Sequence, residues 1–214
     1  MIKEKSIGHK ASKNAVLSSN KERIHNISRI AILSAIAFIL MYLEFSLPLM
    51  PVFLKFDFSE IPVLLAAFSM GPWAGVIVEL IKNLLHLPFT HTAMTGEFAN
   101  FIVGSAFVLT ASYIYHRHKT HKSAIIGMLC GTIAMALAGC LVNYYMNIPF
   151  YINAMGMRLE DIIGATNAVG NTMVTDLRSL ILWVFLPFNI FKGLIISLAV
   201  NYLYKPLSPL LKSR

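Results

Sequence analysis

Six apolar stretches, separated by short polar or proline-marked connections, constrain this chain more than any other feature. They run from Ile30 to Phe45, Ser59 to Met70, Trp73 to Leu87, Gly96 to Tyr115 and Ser123 to Met146, and finally over 179–204. A helix needs about 20 apolar residues to cross a bilayer's hydrocarbon, and lipid offers the backbone no outside hydrogen-bond partner, which favours helices. Composition points the same way. Of the 214 residues 57% are hydrophobic and 13% charged, with a mean hydropathy of +0.66, whereas soluble domains carry about 25% charged residues. The pattern predicts an all-α integral membrane protein with six transmembrane helices. That membrane domain is expected over 27–206, after a flexible basic tail, 1–26, and before a short tail, 207–214. The first thirty residues hold no apolar stretch ending in a small-residue cleavage site, so no cleavable signal is expected.

The formal net charge of +8 sits in the tails and one loop, which fits membrane topology and anionic headgroups better than nucleic acid. If both termini share one side, that side holds Lys3, Lys5, Lys10, Lys13, Lys21, Arg23 and Arg29, then Arg117, Lys119 and Lys122, then Lys205, Lys212 and Arg214. The other side holds Lys55 and Arg158. The positive-inside rule therefore predicts cytoplasmic termini. The proline-rich first loop, the "FTHTAMTGE" loop and the connection over 147–176, read as long and mostly polar, then face outward. Cys130 and Cys140 are ten residues apart, about 15 Å along a helix, too far for a disulfide.

Polar residues inside apolar runs are the candidate functional groups, because charge at membrane depth is costly and marks sites or pathways. In "LPFNIFKG", Asn189 and Lys192 share a helix face. Lys192 lies about 18 Å of helix from Tyr204, too far to reach the cytoplasmic surface. It either snorkels outward or faces a polar cavity, and Pro187 either starts its helix or kinks it. Asn143 sits near the outer end of the fifth segment, as an interhelical hydrogen bond or a site residue. "VIVELIKNLLH" carries Glu79 and Lys82, read as an internal salt bridge, and Asn83 and His86 nearer the outer mouth. "GEFANF" adds Glu97, a helix-dipole partner or site residue, and Asn100.

The first outer loop, "PVFLKFDFSEIP", is unusually apolar for an exposed segment, so it either covers a planar ligand or packs on the bundle. Asp57 and Ser59 are read as caps of the second helix. Ala31 and Ala35, four apart with Ser28 and Ser34 nearby, suit close helix contact, internal or with a partner. His116, His118 and His121 belong to a basic loop rather than a metal site. No P-loop, HExxH, GxSxG or CxxC motif occurs, so neither ATP hydrolysis nor catalysis is expected.

Taken together, "FDFSEIPVLLAAFSMGPWAGVIVELIKNLLH", "GEFANFIVGSAF" and "PFNIFKG" resemble the riboflavin-specific substrate-binding subunit, or S component, of energy-coupling factor (ECF) transporters. The resemblance covers about 27–205. It implies a six-helix protein of the bacterial cell membrane, without ATPase activity or cofactor, that holds one vitamin near the extracellular face. It also implies partners: a transmembrane coupling subunit, which the small-residue motif at Ala31 and Ala35 contacts, and two ATPase subunits. In such proteins ATP hydrolysis in the partners reorients the S component and releases the vitamin inward. The family's ligand contacts fall on Asn189, Lys192 and Asn143.

Riboflavin is neutral, with a flat tricyclic ring that wants apolar cover and a hydroxylated chain that wants amides and an ammonium. Leu54 and Phe56 are expected over the ring, and Asn189, Lys192 and Asn143 on the chain, with Asn83, Glu97 and Asn100 nearby. Alternatives in the same class are FMN, a flavin analogue or another vitamin, although a phosphate would favour more outer cations than Lys55 and Arg158. A stand-alone secondary carrier would rest on Glu79 as a coupling carboxylate. An intramembrane enzyme would need a nucleophile–base or metal constellation that is not found.

Overall fold

The computed structural model describes residues 2–48, 50–51, 53–90 and 92–212, with side chains between residues 22 and 203. The side chains of most of both expected basic tails lie outside these described residues. The helices are α1 (Ile2–Tyr42), α2 (Glu60–Met70), α3 (Pro72–His86), α4 (Thr95–His118), α5 (His121–Asn153), α6 (Leu159–Ala168) and α7, which starts at Leu177 and continues to Lys212. A short antiparallel ribbon joins α1 to α2: β1 (Phe45–Ser46) pairs with β2 (Lys55–Phe56), Phe45 opposite Phe56.

Among the described residues four helices are long and apolar enough to cross a membrane: Glu22–Tyr42, Thr95–His118, His121–Asn153 and Leu177–Leu203. With 11 residues in α2 and 15 in α3, those two rise only about 16 and 22 Å. They are separated by Gly71, whose φ of +111° favours glycine, and Pro72 then opens α3.

Short α2 nevertheless occupies the middle, packing on α1, α3, α4 and α7. Its Val63, Leu64, Ala66, Ala67 and Phe68 are at most 2% exposed, whereas Ile32, Ile36 and Ile39 of α1 point outward. Between α4 and α5 the chains touch at backbone level. A Cβ on Gly127 or Gly131 of α5 would strike the carbonyls of Ala111 or Phe107. This is a Gly-x-x-x-Gly contact, which lipid-embedded helices use because small residues let their backbones approach.

The stretch 147–176 is a correction, being no single polar connection: α5 continues into it to Asn153, and α6 fills much of the rest. Nor does Pro187 begin a helix. It lies inside α7, two residues beyond a π-turn over Ile181–Phe185, and Pro149 stands likewise beyond a π-turn over Asn143–Asn147 in α5. The cause is shared. A proline lacks the N–H that an α-helix would direct at the carbonyl four residues back, and the preceding turn widens. In α7 the carbonyl so released, that of Trp183, accepts a hydrogen bond from Asn171 Nδ2 at 3.2 Å.

Connections 43–59, 87–94 and 154–176 gather at the end of the bundle away from the α4–α5 turn at Lys119 and Thr120. At that end an apolar cluster of Leu54, Phe56, Ile148, Ile162, Val184 and Phe188 is distinct from the larger core around Leu64, Phe68, Phe107 and Ile196.

Candidate ligand cavity

A cavity of about 600 Å³ opens where these two cores part, under the ribbon between α1 and α2. It has the size of a small-molecule site, about 300–1,000 Å³. Leu54 and Phe53 of the ribbon loop, Met135 of α5, and Phe185 and Phe188 of α7 supply apolar wall. Asn143 and Asn147 of α5, Asn100 of α4, and Asn189 and Lys192 of α7 supply the amides and an ammonium. The π-turns explain the gathering of amides: one holds Asn143 and Asn147, and the other ends four residues before Asn189.

Of the residues singled out by sequence, Asn189, Lys192, Asn143, Leu54, Glu97 and Asn100 border this one cavity. Two others do not. Phe56 is 2% exposed and lies behind the wall, its ring among those of Phe45, Phe58 and Phe191. Asn83 uses its Nδ2 on the backbone carbonyl of Glu79 at 2.8 Å and on Glu79 Oε1 at 3.0 Å. Ala31 and Ala35 are exposed on α1, so they are not consumed by packing inside the chain.

Lys192 does not snorkel outward. Only 3% exposed, it donates from Nζ to Asp57 Oδ2 at 2.8 Å. Asp57 is therefore more than a cap: its Oδ1 accepts the Ser59 N–H at 2.8 Å while Oδ2 holds the lysine. Burial works to raise the Asp57 pKa, but the Lys192 and Lys82 ammoniums outweigh it and hold the carboxyl down at about 2. Ser59 is a correction as well. Its side chain makes no cap bond; its Oγ accepts from Lys82 Nζ at 2.7 Å.

Behind Lys192 lies a second buried group. The expected Glu79–Lys82 pair is present, with Nζ 2.9 Å from Oε2, and Lys82 also reaches Glu60 Oε1 at 2.8 Å. All three side chains are fully buried. Such a cluster is tolerable only because each charge has a close opposite and added hydrogen bonds.

Glu97, in the first turn of α4, accepts from Thr90 Oγ1 at 2.8 Å and lies 3.0 Å from His86 Nδ1. It thereby ties the α3–α4 connection to both helices at the cavity edge. Sequence reading missed Asn147, Glu60, Tyr151, Phe185 and Phe188 as lining. A signal existed for Asn147: it stands four residues after Asn143, hence on the same helix face.

A family model described as "ECF transporter, substrate-specific component" matches residues 25–204. Among curated relatives, the riboflavin transporter RibU of Staphylococcus aureus (strain TCH60) is 39% identical over 193 residues, covering 90% of this chain and 95% of that protein. The riboflavin transporter FmnP of Bacillus subtilis (strain 168) is 31% identical over 185 residues, 84% of this chain and 90% of its own. A solved structure of the S component of a bacterial ECF transporter superposes with a TM-score of 0.69 at 36% identity, covering 89% of this chain and 99% of the other.

Proposed function

We propose, for a chain that belongs to the substrate-specific components of ECF transporters, that its cavity takes riboflavin at the outer face of the membrane. The observation that carries this reading is the cavity itself, apolar at Leu54, Phe185 and Phe188 and amide-rich at Asn143, Asn147 and Asn189. The first wall suits a flat ring and the second a hydroxylated chain, for which Lys192 adds donors. Kinship to riboflavin transporters over most of the chain supports the same ligand.

The charge balance favours riboflavin over its phosphate. Glu44, Asp57, Glu60 and Glu97 border the cavity against only Lys55 and Lys192 among lysines and arginines, and like charges at short range oppose a dianion. A carrier using Glu79 as coupling carboxylate loses support, since that side chain is held by Lys82 and Asn83.

Six crossings follow if α2 and α3, short as they are, span inside the shelter of the other four. The surplus of lysine and arginine on the terminal side then sets both termini in the cytoplasm. The exposed Ala31 and Ala35 provide the contact with the transmembrane coupling subunit, and two ATPase subunits drive reorientation and inward release. The test is direct. Protein purified in detergent should carry or take up flavin, seen as visible absorbance and as quenching of riboflavin fluorescence on titration. Absence of binding at micromolar riboflavin would sink the assignment.

A further inference from the structure

Lys82 and Glu79 do not border the cavity, yet they are joined to it through one carboxylate. Glu60 Oε1 lies 2.8 Å from Lys82 Nζ and 3.9 Å from Lys192 Nζ. We propose that Lys82 is a positioning residue for Lys192: by occupying Glu60 it leaves Lys192 on Asp57, with its remaining donors free for the ligand.

Valence and competition decide which carboxylate each lysine holds. An ammonium has three N–H donors. Lys82 donates to Ser59 Oγ at 2.7 Å and to Glu60 Oε1 at 2.8 Å, and is ion-paired with Glu79 Oε2 at 2.9 Å. Lys192 has one close partner, Asp57 Oδ2 at 2.8 Å, and stands off Glu60 at 3.9 Å. Three carboxylates, Asp57, Glu60 and Glu79, thus face two ammoniums. Without Lys82, Glu60 is left with Lys192 as its nearest cation, and in a buried setting that attraction is strong. The lysine then turns onto Glu60 and loses a donor, and with it its aim into the cavity.

This rests on the riboflavin reading and on Lys192 meeting the hydroxylated chain, so the test uses two ligands. Lys82→Met alone leaves buried carboxylates uncompensated and risks misfolding. The double variant Lys82→Met/Glu79→Gln removes one charge of each sign, a change buried pairs often tolerate. The double variant should melt near the unchanged protein, bind riboflavin about tenfold or more weakly, and keep its affinity for lumiflavin, which has the ring without the hydroxylated chain. Equal losses for both ligands would mean a merely structural role and overturn the proposal, as would unchanged riboflavin affinity. A structure of the double variant gives an arm independent of ligand. Lys192 should be found on Glu60; finding it still on Asp57 overturns the proposal. If the unchanged protein binds no riboflavin, the functional reading fails, and the structural arm still decides this one.

Discussion

Lys192 of the last helix and Asp57 of the first connection, 135 positions apart, meet at 2.8 Å with both side chains at most 5% exposed. One bond thus ties the connection after the ribbon to α7 in the wall of the cavity. Lys192→Ala should weaken riboflavin binding by about 2 kcal/mol or more, the usual cost of truncating a buried hydrogen-bonded charge, while the protein still reaches the membrane. Fluorescence titration beside an expression blot reads both. Unchanged affinity would remove Lys192 from the site.

Acid should loosen the same joint. The Asp57 pKa is lowered from 3.8 to about 2, so the folded state favours its ionised form. The stability this contributes is complete above about pH 4 and is lost as pH falls from about 4 toward 2. Thermal melts in detergent over that window should show a steeper loss for the unchanged protein than for Asp57→Asn. Parallel curves would mean the pair contributes nothing to folding.

Gly104 on α4 makes room for the buried carboxylates. A Cβ there would press on Glu79 Oε1 and stand 3.1 Å from Glu60 Oε2. Gly104→Ala should therefore destabilise by about 1–3 kcal/mol, the range for overpacking a filled interior, and lower the melting temperature. A melting temperature at or above that of the unchanged protein would show that the cluster can shift without cost.

The small-residue face of α1 predicts a separation of functions. Ala35→Leu should leave riboflavin titration unaltered, because Ala35 is exposed and remote from the cavity lining. It should abolish uptake by cells that carry the whole transporter, since a leucine holds two helix backbones apart. Uptake at the ordinary rate would place the coupling contact elsewhere.

The helices were legible because hydropathy and helix period need only local sequence: each of the six apolar stretches overlaps one of the helices α1–α5 and α7, four of which are long and apolar enough to cross a membrane among the described residues. Asn143, Asn189 and Lys192 were legible as polar residues in lipid-length runs, where chance rarely leaves them. Asp57 was misread as a cap alone because its partner lies on the last helix, and no local pattern joins two residues so far apart. Ser59 failed for the same reason: Lys82 took its hydroxyl from the cap. Phe56 was expected over the ring beside Leu54, but its ring packs among Phe45, Phe58 and Phe191, contacts from three separate segments that no local pattern gives.

The widened turns before Pro149 and Pro187 set rotational phase. Each π-turn accommodates one residue more than an α-helix would, and one residue of α-helix is worth about 100° of rotation. An unbroken α-helix through all of Ile181–Phe185 would instead turn Asn189 and Lys192 about a quarter-circle away from Asn143. The position of a proline, which itself touches no ligand, thereby decides which compass bearing the end of the chain presents to the binding chamber.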